Sequence, residues 1–530
     1  MSSIDLSRFN FSGGENSAPI EDLTRLPQED QQRLVLAGID VHDTKVSGAF
    51  MQLNHADVHC TTRQEGLDLM DIRAALKKFD GLPQYYWKLL DPNKDEITRM
   101  AYEHLNGGYF VRARKGVKIS QPVQSCMFIK GNAAGQAVHN IVVVEEGAEL
   151  NILGGCATSQ HSNDAAHLGI TEYYVEKGGK LTLDDSVAYG AVEVNGGTLS
   201  AKNSSSFVNQ ITLDDGSALE DAEIRSHANY LTDGNYKVEA PTAPVQTNGT
   251  VTVKGTCSIE GEGIVSSKDA QTGMIVNGGK LVIDQGATLK ATGGSVDLDN
   301  GNGGAGIMLN GGSIIGDGQL EVQGGSVGMG GGNGGAGIAG EGIVAVSTLK
   351  ATGGNTVGEN DAAMGAPGNA GNGIDPKVLV SKATRVESKG GTGVNPGSGE
   401  YSVYEENAGG GSGSDGDKGP GSDSGSENGS GTGSGNNGGA GSDSGSDSGS
   451  NGGSDSGSGS GAGSDSGSSN NGSDDGSNAN GEGENASGNE DSSQTANLPA
   501  TGDAAPLGAA AVLAVVAASG VAVARRKLDR

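Results

Sequence analysis

Large apolar and aromatic residues are scarce in this sequence. Aromatic residues make up 4% of its 530 residues and apolar residues 34%, both low for a chain that folds throughout. All seven Phe and the single Trp precede residue 208, and residues 408–494 contain no Val, Ile, Leu, Met, Phe, Trp, Tyr or Cys. Such a stretch cannot bury enough apolar surface to fold. We therefore expect folded structure to about residue 400 and a disordered Ser/Gly/Asp-rich stalk over 405–497.

Cationic side chains and paired cysteines are scarce as well. The 65 Asp and Glu outnumber the 35 Lys and Arg, and the formal net charge of −30 repels phosphate backbones, which excludes nucleic acid as a partner. The four cysteines, at positions 60, 126, 156 and 257, form no CxxC pair, so neither a zinc ribbon nor a disulfide framework is predicted. No secretory signal is visible either, because charged residues interrupt positions 1–40 throughout.

Catalytic motifs are also missing. No nucleophile elbow and no HExxH stands out in the sequence. The adjacent pairs Asp184-Asp185 and Asp214-Asp215 would point to opposite faces of a strand, so neither is a carboxylate dyad. Residues 301–306 are glycine-rich but lack the Lys-Ser/Thr of a phosphate-binding loop. From these residues alone we expect no enzymatic activity, no metal site and no cofactor.

The C-terminus carries a recognisable signal. An LPxTG pentapeptide is formed by Leu498, Pro499, Ala500, Thr501 and Gly502. An apolar run over 507–524 follows, long enough to span a membrane as a helix, and the basic end over 525–530 favours the cytoplasmic side. This order resembles the sorting signal (498–530) of sortase substrates. The resemblance implies cleavage between Thr501 and Gly502, sortase and peptidoglycan as partners, and a place in the cell wall or membrane of a Gram-positive bacterium.

A turn motif, Gly-small-x-Leu, recurs through the middle of the chain. It begins at Gly147, Gly178, Gly196, Gly216, Gly278 and Gly286, with an Ile variant at Gly311. Alternating apolar residues follow most copies, which is strand patterning after a turn that glycine permits. Stacked short strands predict a mainly β fold, a right-handed parallel β-helix, with a Gly-rich solenoid over 184–400. The segment 301–307, repeated at 332–338, resembles the repeats of adhesin-like surface proteins.

The first 108 residues are predicted to form a small α-helical region. Helical character is found over 18–38, 66–79 and 94–105. It is clearest in the second segment, where the apolar residues fall near one face. From Tyr109 onward the pattern changes to that of strands.

Several short segments in the first part of the chain follow one another in a recognisable order. They are Gly-Tyr-Phe-Val at 108–111, Pro-Val-Gln-Ser at 122–125, His-Asn-Ile-Val at 139–142, Glu-Glu-Gly at 145–147, Gly-Cys at 155–156, and His167 before the strand of Glu172. Over roughly residues 20–183 this order resembles the SufB/SufD family, the β-helical scaffold components of the Suf machinery for iron–sulfur cluster assembly. The resemblance implies a helical region over 1–108 and a truncated β-helix over 109–183.

The same resemblance implies site residues and partners. Cys156, in the Gly-Cys segment, is the candidate sulfur-handling thiol, with His139 and His167 as candidate neighbours. An iron–sulfur cluster, a SufC-type ATPase and a SufB/SufD-type partner are implied by the family alone. Taken without the family, a lone cysteine in a β-helix is a small core residue, so both interpretations of Cys156 stay open. Beyond Leu183 the chain does not follow the family.

Two functions follow from these observations. The first is a non-enzymatic, wall-anchored surface protein that carries a SufB/SufD-like segment. The alternative is a cytoplasmic SufB/SufD-like scaffold, truncated and fused, naturally or artefactually, to a surface protein. Because the same Gly-small-x-Leu turn occurs on both sides of Leu183, we expect the strands to continue stacking across that point.

Overall fold

The computed structural model describes part of the chain. The described residues are 5–12, 18–160, 162, 164–184, 187–188, 190–202, 205–207, 210–226, 241–263, 269–296, 300–328, 331–357, 368–405, 511–516 and 521–526. Apart from Glu405, the stalk predicted over 405–497 lies outside these residues, and so does the pentapeptide at 498–502.

Helices and antiparallel strands form the N-terminal part. The helices are α1 (Gln28–Leu36), α2 (Ile72–Lys78) and α3 (Glu96–Glu103), with one-turn 3₁₀ helices at Leu6–Arg8, Leu23–Arg25 and Leu82–Gln84. The strands are β1 (Gly48–Leu53), β2 (Ala56–Thr62) and β3 (Leu67–Asp71). β1 pairs antiparallel with β2 and parallel with residues 123–128, while β3 pairs antiparallel with residues 109–113. This part therefore covers one end of the strand stack that follows.

The prediction of a helical region over 1–108 is wrong in part. Residues 67–71 form a strand, and the helix starts only after Asp71, whose carboxylate accepts two backbone N–H groups of the first turn, at 2.9 and 3.1 Å. The helix predicted over 18–38 begins only at Gln28, because Pro27 keeps the backbone of Leu26 extended. Strands β1 and β2 were not predicted. The third predicted helix, over 94–105, is confirmed as α3.

From Tyr109 onward, the regular elements among the described residues are strands. They are β4 (Tyr109–Ala113), β5 (Val123–Ile129), β6 (Ala134–Val144), β7 (Glu149–Thr158), β8 (Asp164–Val175), β9 (Lys180–Asp184), β10 (Val187–Ala188), β11 (Gly190–Val194), β12 (Thr198–Lys202), β13 (Ser205–Phe207), β14 (Ile211–Leu213), β15 (Ala218–Glu220), β16 (Glu223–Ser226), β17 (Val245–Lys254), β18 (Thr256–Glu260), β19 (Met274–Ile283), β20 (Thr288–Thr292), β21 (Ile307–Gln323), β22 (Ile338–Thr352), β23 (Val378–Ser381), β24 (Arg385–Lys389) and β25 (Ser402–Tyr404). They pair with one another in parallel, each with the strand one turn away. The predicted mainly β, parallel-stacked fold is confirmed, and its right-handedness stays a prediction.

The Gly-small-x-Leu motifs lie at the corners of this stack. Their glycines adopt positive φ, for example 68° at Gly147 and Gly178, a conformation that favours glycine. Their leucines are at most 2% exposed and belong to three separate columns. These columns are Leu150, Leu181, Leu199 and Leu219; then Val251, Leu281 and Ile314; and then Cys257, Leu289 and Leu320. One sequence motif therefore lines more than one wall of the solenoid.

Stacking continues where the family resemblance ends. Leu183, on β9, pairs with Ile152 on one side and with Ala201 on the other, and all three are buried. The prediction that strands stack across Leu183 is therefore confirmed.

A seam of backbone contacts closes the Gly-rich turns. Two columns of glycine meet there, one at 294, 325, 354 and 391 and the other at 304, 335, 371 and 397. N–H groups donate alternately across the seam, from Gly325 to the Gly304 carbonyl and from Gly335 to the Gly325 carbonyl, each at 2.8 Å. A Cβ at residue 335 would lie 1.9 Å from the Gly304 oxygen. Glycine is therefore needed here for close approach.

The structure differs from the sequence prediction at the C-terminus. Residues there form β26 (Ala511–Val516) and β27 (Val521–Arg526), which pair antiparallel, and β27 also pairs antiparallel with the start of β8. The helix predicted over 507–524 is wrong at these positions, where five valines favour extended backbone. Among the described residues, no helix has the length and apolar character needed to cross a membrane.

The seam generates a stability prediction. We expect Gly335→Ala to lower the free energy of unfolding by about 1–3 kcal/mol, because the added methyl group must displace backbone rather than a flexible side chain. Gly81→Ala is the matched control, since a Cβ there meets nothing within 4 Å. Urea unfolding followed by circular dichroism measures both variants. Equal stability of the two would mean that the seam is not tightly packed.

Candidate functional site

The site is built on β6, β7 and β8, whose side chains alternate between two faces of the solenoid wall. Val138 and Val142 of β6 belong to the main core inside the solenoid, whereas Ala137 and Ile141 contact the N-terminal elements outside it. β8 follows the same alternation, because each of its residues pairs in register with a residue of β6. The position of a residue along its strand therefore decides which face it occupies.

Cys156 lies on the inner face of β7. It packs against the main core and pairs in register with Met127, itself a core residue. Part of the residue is exposed, but burial raises the pKa of its thiol to about 12, so the thiol is protonated at neutral pH. Tyr109 and Tyr173 also face this core, and burial raises the pKa of Tyr109 to about 12. Cys156 thus lies in a largely apolar interior that disfavours the thiolate.

Gly155 explains why a glycine precedes this cysteine. A Cβ there would lie 2.7 Å from the Ala37 carbonyl oxygen. The chain after α1 therefore runs directly against the outer face of β7. The Gly-Cys pair combines close approach outside the wall with a thiol inside it.

His167 also faces the interior, near the start of β8. Its Nδ1 lies 2.9 Å from Gln136 Oε1 and therefore donates to it. Gln136 in turn donates to the Asn54 carbonyl at 2.7 Å. Burial lowers the pKa of His167 to about 4. Gly169 leaves room for the ring, because a Cβ there would lie 2.4 Å from His167 Nε2.

His139 lies on the opposite face. Its Nε2 is 2.9 Å from Glu172 Oε2, and its ring stacks on Trp87 with centroids 4.3 Å apart and planes at 12°. Burial lowers the pKa of His139, outweighing the adjacent Glu172 carboxylate. The buried Nδ1 has no hydrogen-bond partner, which fits a neutral ring that donates from Nε2. His139 therefore anchors the outer segment around Trp87 and does not face the interior that holds Cys156.

Glu172 is the residue that sequence reasoning missed. Its carboxylate, fully buried, accepts backbone N–H groups of Trp87, Leu89 and Leu90 at 2.8, 2.5 and 3.1 Å. Trp87 has a positive φ of 54°, unusual for a large residue. A glutamate inside an otherwise apolar strand was the available signal, since a buried charge needs partners. The role is structural, because the partners of Glu172 are the His139 ring of β6 and the backbone of residues 87–90, here called the covering segment.

Two of the three candidates thus face the solenoid interior, from strands that do not pair with each other, β7 and β8. Cys156 and His167 share the interior, and His139 is separated from them by the wall. In the part of the chain that the structure describes, no three His, Cys, Asp or Glu side chains are grouped so that they could hold a metal ion.

The other cysteines do not join the site. All four are free thiols. Cys126 belongs to the outer cluster beneath α1, and Cys257 is a core residue far along the solenoid. Both are therefore packing residues.

Comparison with known proteins identifies relatives of this segment. No protein-family model matches the chain. An iron–sulfur cluster assembly SufBD family protein of Methanothermobacter thermautotrophicus (strain Delta H) is 35% identical over 188 residues, which are 34% of this chain and 45% of that protein. One of Archaeoglobus fulgidus is 40% identical over 154 residues, 29% of this chain and 41% of that protein. The iron–sulfur cluster assembly protein SufB of Bacillus subtilis (strain 168) is 25% identical over 160 residues, 29% of this chain and 34% of that protein.

These matches confirm the likeness to the SufB/SufD family over 188 residues. The chain spans less than half the length of these relatives. Nothing among the matches supports an adhesin-like repeat region or an LPxTG signal, which stay predictions.

The buried histidine generates a prediction about acid stability. Because the pKa of His167 is about 4 in the folded chain and near 6.5 when unfolded, only the unfolded chain takes up this proton as the pH falls through that window. Stability is therefore lost between these values, by up to about 3 kcal/mol for this group. We expect His167→Gln to reduce this loss, as measured by urea unfolding at a series of pH values. The exposed His42→Gln is the control, and an unchanged pH dependence in His167→Gln would contradict the assignment.

Proposed function

We propose that this chain acts as a SufB/SufD-type scaffold component of iron–sulfur cluster assembly, without enzymatic activity of its own. The observation that carries the proposal is the position of Cys156 on the interior face of a β-solenoid wall, within the segment that resembles SufBD family proteins. A SufB/SufD-like scaffold is thus favoured over a purely structural surface protein.

In this proposal Cys156 carries sulfur. Its thiolate attacks the outer sulfur of a donor persulfide; a new S–S bond forms on Cys156, the donor S–S bond breaks, and the donor thiol leaves with the proton that Cys156 gives up. Because burial raises the pKa of the thiol, deprotonation is the costly step. With a pKa of about 4, His167 is too weak a base to take up this proton, and His139 lies outside the wall.

The partners follow from the family only. A SufC-type ATPase and a second SufB/SufD-type chain are proposed because relatives of this segment are named as assembly proteins. The iron–sulfur cluster is the product of such an assembly and not a resident cofactor. The described residues provide no group of three metal-ligating side chains. We therefore propose that the ligands of the cluster other than Cys156 come from a partner.

Sulfur transfer to Cys156 provides the test. After anaerobic incubation of the full chain with cysteine persulfide, mass spectrometry of its peptides should find sulfane sulfur on Cys156, and Cys156→Ser should lose it. Cys257→Ser is the matched control, because this residue is fully buried in the distant core. The exposed Cys60 reports that the reagent is active. Sulfur on Cys60 without any on Cys156 would identify Cys156 as a core residue and overturn the proposal.

A second proposal concerns the C-terminus and depends on the sequence alone. The pentapeptide at 498–502, the apolar run and the basic end occur in the order of a sorting signal, so we propose that sortase can attach this end to peptidoglycan and locate the chain in the wall of a Gram-positive bacterium. This proposal is independent of the sulfur chemistry.

A reporter separates the signal from the rest of the chain. Residues 498–530 fused to a secreted reporter should place it in the wall fraction of a sortase-bearing cell, and Thr501→Ala should release it, because the acyl bond is made at that residue. Ala500→Ser, at the variable position of the pentapeptide, is the matched control. Release of the reporter with the unaltered signal would contradict the proposal.

A further inference from the structure

His59 connects an N-terminal segment to the body of the fold. Residues 18–39, here called the strap, cross the outer face of β2, β5 and β7. The backbone N–H of Ile20 donates to the Val58 carbonyl at 2.6 Å. Lys130 forms an ion pair with Asp30 at 2.9 Å, and the strap's apolar side chains share a cluster with Met51, Cys126 and Phe128. Directly beside Ile20 lies the His59 ring, only 4% exposed.

Both nitrogens of the His59 ring face oxygen atoms that can only accept. Nδ1 lies 2.6 Å from the carbonyl oxygen of Ile20, and Nε2 lies 2.7 Å from Asp43 Oδ2. A neutral imidazole has a single N–H. In that form one nitrogen lone pair would face an oxygen lone pair at hydrogen-bond distance. The closed arrangement therefore requires the doubly protonated, cationic ring.

The surroundings of the ring support this charge. Asp43 is 4% exposed and its other oxygen accepts from Gln124 Nε2 at 2.7 Å. Burial by itself lowers the pKa of His59, but the hydrogen bonds to Asp43 and Ile20 and the Asp43 charge raise it overall. Arg63, 3.6 Å from Asp43 and about half exposed, acts in the opposite direction. Asp57 on the same strand adds a further acidic group, and Cys126 faces the same cluster from β5.

We propose that His59 is a pH-operated latch that holds the strap closed while the ring is cationic and releases it on deprotonation. Since the pKa is raised above its unfolded value near 6.5, the stabilisation is complete below that pH and is lost as the pH rises through the folded pKa. The strap contacts β7 directly, as the close approach of Ala37 to Gly155 shows. Release therefore uncovers the outer face of the strand that carries Cys156.

Hydrogen exchange of the full chain tests the latch. Exchange of residues 18–26, corrected for its intrinsic pH dependence, should accelerate by up to about tenfold per pH unit between the unfolded pKa near 6.5 and the raised folded pKa of His59, because one proton is lost on opening in that window. Above the folded pKa the corrected exchange should level off. His59→Gln should exchange fast at every pH. The glutamine side chain has a single nitrogen donor atom, which cannot replace two ring nitrogens that donate in different directions. Asp43→Asn should lower the pH at which the acceleration levels off, because it removes the charge that raises the folded pKa of His59. Residues 245–253 of β17 should stay protected throughout, which excludes global unfolding.

Two controls make the outcome decisive. His42→Gln alters an exposed histidine next to Asp43 and should behave as the unaltered chain. Alkylation of Cys126, which lies under the strap, should rise in His59→Gln relative to alkylation of Cys257 in the distant core. Corrected exchange that does not depend on pH, or that is the same in His59→Gln and the unaltered chain, would overturn the proposal.

Discussion

In-register parallel stacking is the constraint on which the rest of the structure depends. The backbone groups of each strand find their partners one turn away, so Val142 lies between Val111 and Tyr173, and a shift by one residue would turn every side chain to the wrong face. Positive-φ glycines set the corners and buried leucines fill the columns behind them. The Gly-rich seam satisfies the same constraint without side chains, because backbone donates directly to backbone across it.

Local patterns in the sequence were sufficient to predict this architecture but not its long-range contacts. The Gly-small-x-Leu motif encodes both a turn and a buried position, so the solenoid could be predicted. The column to which each leucine belongs could not be predicted, because it depends on the length of the turns. The first part of the helix predicted over 66–79 is a strand instead, since Leu67 and Leu69 pair with another strand, which outweighs a helical period. Glu172 and His59 escaped notice because their partners are 82 to 85 and 39 residues away in sequence.

Alternation along the strands also divides the candidate site. His139 and His167 both lie at positions that match the family. His139 lies on the face of β6 that points to the covering segment, whereas His167 lies on the face of β8 that points to the core. The sequence could name these residues but could not tell which of them faces the interior, as Cys156 does. The two histidines consequently differ in role: His139 holds the covering segment through Glu172 and Trp87, and His167 belongs to the interior polar network with Gln136.

Stacked turns interact mainly with their nearest neighbours, which bears on how the two parts of this chain affect one another. The Gly-rich turns extend the stack from β9 onward and reach the surroundings of Cys156 only through the intervening turns. The strap is different, because it lies directly against β7 and is tied to the body by groups that titrate, His59 and Asp43. Substitutions far along the solenoid should therefore have little effect on the surroundings of Cys156, whereas substitutions in the strap act directly on the strand that carries it. If the thiol is controlled by the fold, that control is expected from the strap.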